Sequence, residues 1–168
     1  MDTTNPQTMP QATLLLPRIA YDALRAHAEE AYPDECCGVL LGHAVPGGWR
    51  VNEAVRAANE RTDTPSNRYS IAPAELVMIV IAARRRGLQI AGFYHSHPDQ
   101  PAHWSRTDLE EAHWIGCSYV ITEVAQGRAA ATCAFLLEGT TEEDKQFTPQ
   151  VIHLQDDSGP YAPGKASR

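Results

Sequence analysis

The chain has 168 residues, 14 Lys plus Arg against 21 Asp plus Glu, and a net charge of −7. That length corresponds to about one domain, able to bury roughly 70% of its unfolded surface without disulfides or a structural metal. The acidic balance argues against a nucleic-acid binder, which needs a basic face for phosphates.

Met1 to Gln11 is polar with no apolar h-region, and no stretch reaches the ~18 apolar residues of a membrane span, so a cytoplasmic protein is expected. Cys36, Cys37, Cys117 and Cys133 show neither C-x-x-C spacing nor disulfide-scaffold density, and most of them read as reduced core residues. Residues 1–11 and 156–168 read as disordered tails around one domain at 12–155.

Thr13 to Leu16 reads as a short strand, and Pro17 suits the first turn of a helix running to about Ala31, with Ile19, Ala23, Leu24 and Ala28 on its inner face. Cys37 to Leu41 is a buried strand ending at Gly42. A Pro46-Gly47-Gly48 turn joins it to Trp49–Ala58 as a hairpin. Asn59 to Arg68 is a polar loop that could close over a substrate, its arginines meeting an acidic partner, or serve only as a solvated connection. Ala74 to Arg86 is a helix, apolar nearly all round and stopped by Gly87, whose Arg84-Arg85-Arg86 run opposes the negative end of the dipole. Leu88 to Tyr94 is a buried strand and Ser105 to Trp114 a helix. Ser118–Glu123, Ala130–Glu138 and Gln150–Leu154 follow as strands. Helices between groups of strands predict an α/β (α+β) fold, a curved mixed central sheet flanked by helices.

The chemistry concentrates in Gly92-Phe93-Tyr94-His95-Ser96-His97-Pro98. Strand alternation points His95 and His97 to the same side, which suits two imidazoles on one metal ion, though two strand-end histidines bonded to solvent or backbone read the same way. Seven residues separate His97 from Ser105, and Asp108 follows three later at a helix start. Ser105-x-x-Asp108 is also a capping box; the roles are compatible, since Ser105 can cap while Asp108 faces the His pair. Two His and one carboxylate leave a fourth zinc position open, as in a catalytic site. Glu35, in Tyr32-Pro33-Asp34-Glu35-Cys36-Cys37-Gly38, is the candidate base; spacing alone leaves it a solvated turn acid.

The order Glu35, His95-Ser96-His97-Pro98, Ser105, Asp108 resembles the JAMM or MPN+ metalloprotease motif. The likeness extends to Tyr32 through Gly42 and to Tyr69-x-Ile71-x-Pro73, covering about Leu14 to Leu137. It implies an MPN-type, cytidine deaminase-like fold, one zinc ion, and hydrolysis of peptide or isopeptide bonds at the C-terminus of ubiquitin-like proteins. Carried over by position, His95, His97 and Asp108 are the zinc ligands. Glu35 is the general acid/base, and Ser105 donates a hydrogen bond to the oxyanion, worth about 3 kcal/mol in comparable sites.

Trp104 stands where small bacterial members often have Pro. The long insertions of eukaryotic deubiquitinases are missing, so the resemblance points to ubiquitin-like sulfur carriers with a Gly-Gly tail, from which some members release cysteine and others trim the tail. Such a tail would add a strand beside a sheet edge near the metal. A deubiquitinase-like isopeptidase and a non-catalytic MPN scaffold are the alternatives. A metallo-β-lactamase motif would need His where Gln100 stands, and a zinc deaminase would need Pro-Cys-x-x-Cys. His103 and His113 read as surface or packing residues, His103 within reach of substrate. Cys36 and Cys37 read as core packing, with a redox role as the alternative.

Overall fold

Residues 12–156 are described by the computed structural model of the chain. The tails expected at 1–11 and 156–168 lie outside it apart from Asp156, which accepts a bond from Arg18 at 3.4 Å. Strand β1 (Thr13–Pro17) buries Leu14 and Leu16, and helix α1 (Arg18–Ala31) buries Ala20, Leu24 and Ala28. Leu24 and Ala28 lie on the inner face as expected, but the other two residues expected there do not. Ile19 is 66% exposed and Ala23 lies outside, because the i, i+4, i+8 row that meets the sheet begins at Ala20.

Strands β2 (Cys37–Val45) and β3 (Gly48–Ala57) form the expected hairpin, with Gly47 at φ +79° in its turn. Helix α2 (Pro73–Arg85) has Pro at its first turn, Glu75 near its N-terminus and Arg84 and Arg85 in its last turn, which complements the dipole at both ends. It is less buried than its composition suggests: only Ala83 is fully inside, and Val77, Met78 and Ile81 face outward. An apolar sequence sets what a helix can bury, while its place on the outer side of the sheet sets how much it does.

Strand β4 (Gln89–Pro98) runs four residues past the expected end at Tyr94, so His95 and His97 stand inside the strand. Helix α3 (Arg106–Glu111) stops short of the expected Trp114. Lys145 Nζ takes the carbonyls of Glu110 and Ala112 at 3.1 and 2.7 Å, satisfying the last turn, and Ala112 turns inward with extended backbone. Strands β5 (Ser118–Ala125), β6 (Arg128–Glu138) and β7 (Gln146–Gln155) complete the fold.

The strand order is β1-β3-β2-β4-β5-β6-β7, and the sheet is closed. The fold is therefore mixed α+β, as expected, but the sheet is a barrel rather than an open curve. Closure comes from β1, which pairs in parallel with both β3 and β7. Strand alternation divides the interior into two cores. One sits under α1 and holds Leu14, Leu24, Leu40, Tyr94 and Val120; the other holds Val39, Phe93, Tyr119, Ile121 and Phe147. Along β4, Phe93 belongs to the second core and Tyr94 to the first, so the same alternation carries His95 and His97 to the side of α2 and α3. No helix among the described residues is long and apolar enough to cross a membrane.

Candidate active site

β4 lies between β2 and β5, with Cys37 and Ile121 opposite His95, so both neighbours hold the two imidazoles in register. The capping box at the start of α3 delivers Asp108. Ser105 Oγ accepts from the Asp108 N–H at 3.1 Å, and Asp108 Oδ2 accepts from the Ser105 N–H and hydroxyl at 2.6 Å each. Cap and site therefore coexist, as the spacing allowed.

The three side chains converge. His95 Nε2 and His97 Nε2 are 3.0 Å apart, and they lie 3.2 and 3.4 Å from the two carboxylate oxygens of Asp108. All three donor groups fall within 4.8 Å of one another. Ligands at 2.0–2.1 Å around a tetrahedral zinc ion sit about 3.3 Å apart, so two nitrogens and an oxygen at these spacings fit that ion. His97 Nδ1 lies 2.9 Å from the Pro101 carbonyl, which as donor to that carbonyl leaves the Nε2 lone pair free for a metal. His95 is buried with the ring of Tyr69 stacked on it at 4.6 Å, and its Nδ1 has no hydrogen-bond partner.

The electrostatics follow the geometry. Burial pulls the His95 imidazole below its usual pKa against the opposing pull of Asp108. Burial also works to lower His97, but its bonds to Asp108 and the Pro101 carbonyl raise it overall. Burial tends to raise Asp108, yet its bonds to the histidines and Ser105 hold it well below the usual carboxylate range.

Glu35, just before β2, is 6% exposed rather than a solvated turn acid. Its neighbour Cys36 is stitched to β4: the Cys36 N–H donates to Ser96 Oγ at 2.9 Å and the Ser96 N–H donates back to the Cys36 carbonyl at 3.2 Å. Glu35, His97 and Ser105 line one cleft of about 540 Å³, walled by Ser66, Asn67 and Arg68 on one side and Trp104 on the other. Burial pushes the Glu35 carboxyl up to about 8; His97 opposes the shift, and Asp108 and Glu111 add to it. The sequence carried no link between Glu35 and the histidines, which the β2–β4 pairing supplies.

The remaining candidates divide. His103 is exposed beside the cleft and stacks on Trp104 at 5.3 Å, while Trp104 packs toward Phe147. His113 faces Glu142 at 3.1 Å and takes no part in the cleft. Cys36 and Cys37 are buried thiols pushed up to about 11 and 12 by desolvation, which keeps them protonated and unreactive at neutral pH. Of the loop arginines, Arg68 lines the cleft, whereas Arg61 turns toward Glu111 at 3.8 Å. β4 is paired with β5 as far as Pro98 but with β2 only as far as His95, so beside the candidate ligands the β2 side of His97 and Pro98 has no strand partner among the described residues. Ser96, Tyr69 and Asn59 were given no role of their own from the sequence; the signals were the position of Ser96 between two histidines, Tyr69 in the family-like segment and Asn59 at the start of the polar loop.

A family model described as prokaryotic homologs of the JAB domain matches residues 17–137. The chain belongs to the prokaryotic JAB family. This JAB domain is 35% identical over 117 residues to the desampylase of Haloferax volcanii, a match spanning 67% of the chain and 82% of that protein. It is 33% identical over 101 residues to the "Probable TtuB-protein conjugate cleaving protease" of Thermus thermophilus, spanning 60% of the chain and 64% of that protein. The solution structure of a Salinibacter ruber protein, 37% identical, matches with a TM-score of 0.64 over 89% of this chain and 95% of that one. A Desulfitobacterium hafniense protein at 24% identity shares the fold, with a TM-score of 0.70 over 86% of this chain and 96% of that one.

The double use of Ser105 in this JAB domain has a measurable consequence. Ser105→Ala is expected to cost about 1 kcal/mol of stability through the lost cap and the lost bond to Asp108, which urea unfolding measures.

Proposed function

We propose that this JAB protein is a zinc metallopeptidase hydrolysing a peptide or isopeptide bond at the C-terminus of a ubiquitin-like sulfur-carrier protein. The observation that carries the reading is one cleft lined by the buried Glu35, by Ser105 and by His97, through which the His95–His97–Asp108 cluster meets it. The names of the two relatives, a desampylase and a TtuB-protein conjugate cleaving protease, supply the substrate class. The family match also supports assigning the closed sheet to the MPN-type, cytidine deaminase-like arrangement. Buried free thiols at Cys36, Cys37 and Cys117 suit a reducing cytoplasm.

His95 and His97 through Nε2 and Asp108 through its carboxylate would hold the zinc ion. When bound, zinc supplies a Lewis acid for the scissile carbonyl and makes water a nucleophile near neutral pH. Glu35 takes the proton of the attacking water and delivers it to the leaving amine; its buried site raises the carboxyl toward the working pH, which suits both halves of that transfer. Ser105 Oγ, at the cleft wall, turns its single O–H from Asp108 Oδ2 to the developing oxyanion. A Gly-Gly tail lies along the cleft between Ser66–Arg68 and the Pro98–Ser105 segment, beside the end of β4 where His97 and Pro98 have no partner on the β2 side among the described residues.

Mass spectrometry tests this directly. A Gly-Gly-tailed carrier bearing a C-terminal extension, and the same carrier joined to a lysine side chain, are incubated with the zinc-loaded protein. The expected result is loss of the mass beyond Gly-Gly. No mass change on any carrier would favour the non-catalytic scaffold.

A further inference from the structure

The loop after β3 is tied into a ring, and the ring is fastened to Glu35. Asn59 uses the whole hydrogen-bonding capacity of its amide. Nδ2 donates to the carbonyls of Arg68 at 3.0 Å and Glu35 at 3.2 Å; Oδ1 accepts from the N–H groups of Arg61 at 3.0 Å and Ser70 at 3.1 Å. A backbone bond from the Glu60 N–H to the Ser70 carbonyl at 2.9 Å closes the neck of the loop. The far side of the ring returns to the same place, because the Glu35 N–H donates to the Pro65 carbonyl at 2.7 Å. Both backbone polar groups of Glu35 are thus held by one loop, and three residues of that loop, Ser66, Asn67 and Arg68, wall the cleft into which Glu35 opens.

We propose that Asn59 is a positioning residue: it locks the 60–70 loop onto the Glu35 backbone, so that the substrate-facing wall and the proton carrier are fixed as one piece. The proposal rests on the assignment of Glu35 made above. Its physical basis is that Glu35 precedes β2 and has no regular strand partner of its own, unlike His95 and His97. Cys36 is anchored to β4 through Ser96, which fixes one side of Glu35; the loop fixes the rest. A proton carrier displaced by about 1 Å can lose on the order of 10²-fold in rate, so bonds that leave the reacting atoms untouched can still govern kcat.

Asn59→Ala removes all four bonds. Asn59→Asp keeps both acceptor bonds that close the ring but replaces the two donors with an oxygen facing the Glu35 and Arg68 carbonyls. The test measures kcat and KM for both variants on the carrier conjugate beside wild type and Glu35→Gln, together with amide hydrogen exchange by NMR on the zinc-free proteins. The expected result is a fall of about 10- to 100-fold in kcat with a much smaller change in KM for both variants. Exchange at the Glu35 amide should accelerate while amides in β2 and β4 keep their protection. Wild-type kcat or an unchanged Glu35 amide in Asn59→Asp overturns the proposal, since an Asn59 that served the loop alone would leave the Glu35 amide as protected as in wild type. If Asn59→Ala loses protection throughout β2 and β4, Asn59→Asp decides the matter. A wild-type protein inactive on every carrier overturns the function instead, full activity in Glu35→Gln overturns the role of Glu35 and with it that of Asn59 in catalysis, and the exchange measurement still decides whether Asn59 holds the Glu35 backbone.

Discussion

Glu35→Gln is expected to lower kcat by about 10²- to 10⁴-fold with zinc content and thermal unfolding unchanged. Glutamine fills the same volume and remains neutral, and a neutral side chain is what this pocket favours, since burial has raised the carboxyl to about 8. Desolvation therefore gives no reason for the variant to unfold, and the backbone bonds from Pro65, Asn59 and Ser96 around residue 35 do not involve the side chain. What the amide lacks is an exchangeable carboxyl proton. Steady-state kinetics, metal analysis and a thermal melt on one preparation make the comparison, and retained turnover would place the base elsewhere.

Asp108→Ala should abolish detectable hydrolysis by a different route, with zinc affinity falling on the order of 10²-fold or more. Two imidazoles 3.0 Å apart remain, but the oxygen ligand is gone. The same substitution removes half of the capping box, so about 1 kcal/mol of stability goes with it. The domain should otherwise persist, because both cores form from strand and helix contacts that do not include the cluster. Chelation of the wild-type protein is expected to stop hydrolysis while leaving the far-UV circular dichroism spectrum in place. One equivalent of zinc should restore activity to wild type and not to Asp108→Ala. A wild-type protein that hydrolyses its carrier with zinc far below one equivalent would defeat the metal assignment.

Both outcomes depend on residues that were legible in the sequence to different degrees. His95 and His97 could be read together because strand alternation is local: two residues apart means one side, whatever surrounds the strand. Asp108 could be read because a capping box is a local geometry of a few residues, and the box is present in the fold. Glu35 could be reached only through family resemblance, since its pairing with the histidines is made by the β2–β4 register across about 60 residues of chain. Asn59 lay in a stretch read as a polar loop that could close over a substrate or serve as a solvated connection, with nothing to single out the asparagine. An amide that bonds four backbone groups looks, in sequence, like any loop asparagine.

Element type and order came largely from local pattern, and the errors share one cause. The inner face of α1, the exposed side of α2 and the early end of α3 all depend on where each helix lies against the sheet, or on a partner such as Lys145 more than thirty residues away. Closure of the sheet is the largest case. β1 is five residues long, and only assembly places it between β3 and β7 in parallel with both.

The sequence by itself determined the donor set, the helix cap that presents Asp108, and the side to which the histidines point, because each is encoded within a few residues. Tertiary structure alone decided that Glu35 is buried beside them, that its carboxyl is raised, and that a loop closed by Asn59 holds it there. Burial and long-range pairing are properties of the assembled barrel, and the desolvation that tunes a carboxyl exists only once the surrounding residues have excluded water.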